Sequence, residues 1–454
     1  MKAEKTEELF AKGNVWMAIA KMGIPAVATM LVVLLYNMAD QFFVAQTGDS
    51  LQIAAISLSS PLYSLAMAAG TLVGGGGMAA VSNALGGKNT KLVKALSSAA
   101  LILVLAAGVV FTGAVLIFPD QILGMLGVDE STWQYTKDYI TILALGMVFI
   151  LFSNAFANII RAEGAAKESM IGNGIGTLAN IILDPIFILA FGMGVKGAAI
   201  ATVIGNMLAS VYYVVYIYRS RSELSLNPKY AFEVPVAFWR VAVLGVPNAV
   251  STLLNSLTGT ISNHILMGYG ASAVVAMSVG GKASMIVSMV VMGICMGVQP
   301  IIAYNYGAGN VARTKEVLTK ITVVSVVAGA LLTVVCWWQR PAIAGLFLSD
   351  PALLDQSVQI MSISLITTAF LGFYYVGLNF QQAAGNAGRA VVLSVLRQGI
   401  LYVPAIYLMN WSFGLEGVYW VSVICDTVSI ILAVGLLLYQ MRPGTLPESS
   451  RCTS

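Results

Sequence analysis

The sequence predicts an all-α polytopic membrane protein: twelve transmembrane helices in two six-helix bundles related by a pseudo-twofold axis. Three observations predict it. The chain of 454 residues is 58% hydrophobic and 10% charged, with a mean hydropathy of +0.85. Twelve apolar segments are each long enough to span a bilayer, which takes about 20 residues. The second half of the chain also repeats the first at a nearly constant offset.

The apolar segments run 16–46, 51–80, 93–118, 135–160, 168–190, 197–218, 241–268, 273–302, 317–338, 357–381, 390–409 and 416–440. Several are long enough to tilt. The stretch before them, "MKAEKTEELFAKGNVW", is mixed in sign, and the apolar run behind it is too long for a signal peptide. Connections are short except for "YRSRSELSLNPKYAFEVPVAFWR", residues 218–240. This polar, proline-containing stretch divides the chain into an N-terminal bundle (1–218), a cytoplasmic linker (219–240) and a C-terminal bundle with a short tail (241–454).

Orientation follows from the basic residues. With the N-terminus cytoplasmic, 20 of the 24 Lys and Arg fall on that side, Arg161 and Arg397 among them. Only Lys137, Lys196 and Arg340 fall on the other, with Lys282 inside the membrane. Both termini are therefore expected in the cytoplasm, and the protein in the cytoplasmic (inner) membrane.

The repeat is read residue by residue. At an offset of 222, Pro25 matches Pro247, Gly48 matches Gly270, Asn83 matches Asn305 and Pro119 matches Pro341. The offset drifts to 221 at Asp129/Asp350 and to 220 at Gly194/Gly414. Self-similarity of this kind marks duplication. Six helices per half give both halves the same orientation, so the repeat is parallel. Such proteins bind substrate in the cleft between halves and rock one half against the other.

Two carboxylates stand inside apolar segments: Asp40 in "LLYNMADQFF" and Asp184 in "NIILDPIFIL". A charge at membrane depth costs a few kcal/mol or more, roughly, and marks function. Tyr36 and Asn37 share a helix face with Asp40, and Asn180 shares one with Asp184. At about 1.5 Å rise per residue, Asp40, Asp184 and Thr202 lie in one outer layer of the first half. Oxygen donors of this kind suit Na⁺, or a proton shared by the carboxylates. Pro185 removes a helical hydrogen bond and can free a carbonyl for coordination. The plainer reading, that both acids merely bridge helices, is weakened because an amide does so at lower cost. Asn154 and Asn158, at i,i+4, are expected to line the cleft. The substrate cavity is thus assigned Tyr36, Asn37, Asn154, Asn158, Asn206 and Met207.

The second half does not copy this set. Asp40 corresponds to Ser262, and the counterpart of Asp184 falls in "LYVPAIYL". Asp426 corresponds to Asn206, and a Lys282–Asp426 pair is expected from their similar depth. His264, the one histidine, reads as an interfacial or cavity-wall side chain. The 4 cysteines show neither disulfide framework nor metal motif. "GTLVGGGG" at 70–77 lies inside a helix, where small residues let helices approach, and no Walker motif is present. Enzyme chemistry, nucleic-acid binding and a cofactor beyond a coupling ion are not expected.

"YNMAD", "NIILDP", "GVKGAAIATVIGN" and "MGVQPIIAYNYGAGN", set in twelve helices of two parallel halves, resemble the multidrug and toxic compound extrusion (MATE) family, in its MepA/DinF-like bacterial branch. The resemblance covers essentially the whole chain. It implies a V-shaped pair of bundles, acting as a monomer, that exports organic cations and amphipathic drugs in exchange for H⁺ or Na⁺. It also implies that Asp40, Asn180, Asp184 and Thr202 form the cation site, with Tyr36 and Asn37 beside it. Other branches carry acids in helices 7 and 10, and "SLTGTISNHILMG" and "SISLITTAFLGFYYVG" carry none. The alternative function is a flippase for lipids or lipid-linked precursors. A pyrophosphate-linked lipid calls for several arginines deep in the cleft, and the sequence places its arginines at helix ends. That placement favours export.

Overall fold

The computed structural model describes residues 2–220, 222–348 and 350–442, apart from the side chains of residues 2, 3, 5, 36–38, 40, 41, 45 and 50. Among the described residues, nine helices are long and apolar enough to cross a membrane, and two bent pairs bring the number to eleven. The last stretch, Ala387–Gln440, is 54 residues long and breaks at Gly414. There φ is 62° and ψ −142°, a backbone that glycine adopts without penalty. This stretch therefore makes two crossings, and the total is twelve.

In the first half the crossings are α1 (Val15–Ala45), α2 (Ser50–Gly86), α3 (Thr90–Ile117), α4 (Trp133–Leu145 and Met147–Ala162, bent by 56°), α5 (Ala166–Asp184, continued by Pro185–Ala190) and α6 (Val195–Arg219). In the second they are α7 (Val236–Met267), α8 (Ala271–Gly280 and Lys282–Gly307), α9 (Val311–Trp338), α10 (Pro351–Thr368 and Leu371–Ala383, bent by 49°), α11 (387–413) and α12 (415–440). Most outrun the apolar segments that announced them, because a helix continues through the polar interface and hydropathy registers only hydrocarbon. Pro235 at the N-cap starts α7 at Val236, within the expected linker. The linker is pinned to the first half, where Ser225 N–H donates to Ser97 Oγ (2.9 Å) and Ser222 Oγ donates to Glu163 Oε2 (2.7 Å).

An even number of crossings puts both described ends of the chain at one face, the terminal face; the opposite one is the far face. At the far face Asp49 caps α2, accepting from Leu51 N–H (2.9 Å) and Gln52 Nε2 (3.2 Å). Gln52 foremost, then the Leu51 N–H, holds the exposed Asp49 carboxyl below its ordinary range. Gln52 Oε1 also accepts from Val195 N–H (3.0 Å), which ties the start of α6 to α2.

The halves meet toward the terminal face through nearly touching backbones. A Cβ on Gly245 of α7 would lie 1.8 Å from Leu72 O of α2, and one on Gly86 of α2 would lie 1.9 Å from Tyr304 O of α8. Hydrogen bonds between the halves reach outward as far as Thr71–Thr252 (3.2 Å). The N-terminal segment forms a helix here, which its mixed charge did not announce. Thr6 Oγ1 donates to Glu163 O (2.8 Å) in the first half. In the second, Phe10 O accepts from Asn305 Nδ2 (3.0 Å), and the fully buried Phe10 ring meets Tyr304 edge-on at 5.5 Å. The segment straps the two halves together at the sealed face.

Gly245→Val cannot fit this seal: the helices must part by at least about 1.5 Å to turn the 1.8 Å approach into ordinary contact. The expected outcome is a longer, broader distance distribution between spin labels at positions Lys91 and Thr319 on the terminal face. Pulsed electron resonance on a cysteine-free background checks it.

Candidate functional site

The first half holds a polar pocket of about 130 Å³ between α1, α2, α4, α5 and α6. Its far wall is Asn180, Thr202 and Asn206, and Asp184 stands one helical turn beyond Asn180. Asp184 is 0% exposed, Asn180 2% and Thr202 5%. Of the two orientations of the Asn180 amide, one satisfies it fully. Its nitrogen then donates to Asp184 Oδ2 (3.0 Å) and its oxygen accepts from Thr202 N–H (3.1 Å). Pro185 follows Asp184 and opens a wide, π-helical turn over Pro185–Ala190, as a missing amide donor requires. Asn206 Nδ2 donates to Thr202 O (2.8 Å), and Ser153 Oγ donates to Asn206 Oδ1 (2.5 Å). Helices α4, α5 and α6 are thus joined by side-chain polar contacts at one level.

The backbone of Tyr36, Asn37 and Asp40 lies in α1, but their side chains lie outside the described residues. Asn154 lines the polar pocket, and with Asn158 it also lines a second, central cavity. Met207 lies one residue round α6 from Asn206, is 36% exposed and lines neither space. His264 is exposed near the far end of α7.

The central cavity, about 370 Å³, lies between the halves and borders the seal, with Gly75 and Asn248 in its wall. Among the described residues its charged groups are Arg161 and Arg397. The orientation count had put both at helix ends. Arg397 in fact stands ten residues into α11, about 15 Å along it. Its Nε donates to Asp426 Oδ1 at 2.8 Å, and its guanidinium lies 4.7 Å from the Tyr374 ring. Thr367 Oγ1 donates to Asp426 Oδ2 (3.3 Å). The structure therefore does not join Lys282 to Asp426. Lys282 begins the second segment of α8, and its Nζ lies 5.9 Å from the Phe347 ring. Equal depth does not place two side chains on facing sides of their helices.

Sequence reasoning missed the second half's share of the cavity. Asn379 and Gln398 line it, each with a buried atom that has no hydrogen-bond partner, as do Asn154 and Arg161. The signal available for Arg397 was its distance from the start of α11. Among the described residues no cluster of three or more His, Cys, Asp or Glu could hold a metal ion.

The MatE family model matches residues 25–186 and again 247–408, so its two copies stand 222 residues apart, the offset of the internal repeat. The chain belongs to the MatE family. Among its relatives is the multidrug export protein MepA of Staphylococcus aureus, 30% identical over 452 residues, covering 98% of this chain and 99% of the relative. The protein of the same name from Staphylococcus saprophyticus is 28% identical over 440 residues, covering 96% and 97%. Solved MATE structures share the MatE fold seen here. One, a MATE protein in complex with MaL6, superposes with a TM-score of 0.91 at 23% identity, covering 97% of this chain and 98% of that one. Another, described as an outward-facing multidrug resistance MATE transporter, gives 0.90 at 23% identity and the same coverage.

The Arg397–Asp426 pair is buried enough for each partner to need the other. Arg397→Met and Asp426→Asn should each lower Tm, since removing one partner strands the other. The double variant should recover part of the loss, with a coupling of roughly 1–3 kcal/mol. A double-mutant cycle of thermal unfolding in detergent checks it.

Proposed function

We propose that this chain is a secondary active multidrug exporter of the cell membrane, not an enzyme. It exchanges drugs for H⁺ or Na⁺ by alternating access, with coupling at Asp40 and Asp184. The observation that carries the reading is a fully buried carboxylate, Asp184, set with Asn180 and Thr202 at the wall of a pocket that shares Asn154 with the central cavity. Membership of the MatE family and full-length likeness to multidrug export proteins supply the substrate class, organic cations and amphipathic drugs.

The coupling ion is its own substrate here, so the pocket must take it and give it up. Na⁺ would draw on the carboxylates of Asp40 and Asp184, the Asn180 carbonyl and the Thr202 hydroxyl. In either orientation the Asn180 nitrogen donates to an Asp184 oxygen, at 3.3 or 3.0 Å, so Na⁺ would have to displace that contact. A proton on the carboxyl can leave it in place, which favours H⁺. With both termini cytoplasmic, the seal closes the inner side, and the cavity belongs to the outward-open state. Loading the carboxylates removes the negative charge that holds a cationic drug, which is the sign an exporter needs.

The cavity arginines bear on the flippase reading. Asp426 neutralises one of them, which leaves, among the described residues, a single cation without an ion pair for a pyrophosphate that carries two or more charges. Export remains the better supported function.

Asp40→Asn and Asp184→Asn should each abolish uphill efflux of a cationic dye from cells that carry normal amounts of folded protein. In purified protein, lowering external pH or raising Na⁺ should weaken binding of that dye, and Asp40→Asn should flatten the dependence. Dye-binding titrations against pH and against Na⁺ check this. Retained resistance in either variant would remove that residue from coupling.

A further inference from the structure

Arg161 has no use in the exporter reading, yet it is among the most buried large side chains of the protein, at 2% exposure. It stands one residue before the end of α4, against the floor of the central cavity. Its contacts are weak. Nη1 lies 3.5 Å from Asn158 Oδ1 and Nη2 lies 3.4 Å from Ser169 Oγ, while Nε has no partner. Among the described residues it makes no ion pair. Nearby carboxylates are engaged elsewhere: Glu163 accepts from Tyr216 (2.7 Å) and Ser222 (2.7 Å), and Glu168 accepts from the Tyr212 hydroxyl. The other cavity arginine has its counter-ion in Asp426.

A guanidinium removed from water without a counter-ion is costly. Its five donors in a planar fork match a carboxylate or sulfonate. Asn154, Asn379 and Gln398 line the same cavity, each with one unpaired polar atom buried in the wall, and the wall includes Met292, Met296 and Tyr375. Donors, acceptors and soft apolar surface together describe a site awaiting an amphiphile.

We propose that the central cavity binds amphiphiles carrying one anionic group, a carboxylate or sulfonate, with the Arg161 guanidinium as the anion site. One group only is specified, because among the described residues only one cation there makes no ion pair. Asn154, which lines both spaces, stands seven residues from Arg161 on α4, about 10 Å along the helix. A zwitterion can therefore lay its cationic end toward the carboxylate pocket and its anionic end on Arg161. The proposal deepens the exporter reading by naming a substrate class, and it takes from that reading only the cavity as the substrate's seat.

The test uses two dyes that differ by one methyl ester: rhodamine 110, which has a free carboxylate, and rhodamine 123, in which it is esterified. Fluorescence anisotropy on the purified full-length protein gives both affinities. A hydrogen-bonded charge pair predicts that wild type holds rhodamine 110 on the order of tenfold more tightly than rhodamine 123. Arg161→Gln should abolish that preference and leave rhodamine 123 within about twofold, while Arg161→Lys should keep a preference of the same sign. Absence of the preference in wild type, or equal weakening of both dyes in Arg161→Gln, overturns the anion site. Should Arg161→Gln fail to fold, the wild-type preference and the Lys variant decide. Uphill transport in proteoliposomes is read separately. A preference without transport sinks the exporter reading and leaves the anion site standing, and transport without a preference does the reverse.

Discussion

The near-contact of backbones between the halves is the constraint on which the rest depends. In hydrocarbon there is no hydrophobic drive to bring helices together, so association rests on packing and on interhelical hydrogen bonds. Here α2 lies so close to α7 and α8 that no side chain could stand at Gly245 or Gly86. A near-mirror contact sets Gly307 of α8 against Asn83 O of α2, where a Cβ would lie 2.2 Å away. The duplication supplies both sides of the seal. Shape holds the seal, with hydrogen bonds such as Thr71–Thr252 beside it.

The same duplication leaves the two halves with different chemistry. Where the first half has Asn206 the second has Asp426, and where the first has Asp40 the second has Ser262. Asp426 already holds a cation, the Arg397 guanidinium at 2.8 Å. Ser262 shares a hydrogen bond with Tyr402 (2.8 Å). A coupling ion entering the second half would have to displace a protein cation. In the first half Asp184 accepts from the Asn180 amide. The two halves thus carry different polar chemistry on a scaffold that is close to symmetric.

Much of this was legible in the sequence, and the limits have physical causes. Hydropathy and the repeat located all twelve crossings, since both report on single helices and on the order of the chain. The Asn180–Asp184–Thr202 cluster was legible because i,i+4 spacing fixes a face and the distance from a helix end fixes a level. Rotation of a helix against its neighbours is not written in either quantity. That is why Lys282 looked like a partner for Asp426, and why Met207 was placed in a cavity that it does not line. Arg397 was hidden by a different effect: a statistic that reads arginine as a marker of helix ends cannot see one that turns inward to meet an acid. Tyr36, Asn37 and Asp40, central to the expected site, have side chains outside those described.

Under the proposed exporter reading, a change in the carboxylate pocket must be felt at the cavity and at the seal, and α4 touches all three. Asn154 stands on the pocket and Arg161 on the cavity floor. Glu163 caps the same helix, takes Ser222 of the linker on its carboxylate and takes Thr6 of the N-terminal strap on its carbonyl. All three belong to the helical run from Met147 to its cap at Glu163, which the 56° bend separates from Trp133–Leu145. A shift of α5 and α6 on loading Asp184 would press on this run through Ser153–Asn206 at 2.5 Å. The far segment could stay in place while the run beyond the bend moves as one body. Energetic coupling needs an element with two arrangements that both sites bias. Under the proposed exporter reading, a bent helix that touches the pocket, the cavity floor and the strap is placed to act as that element.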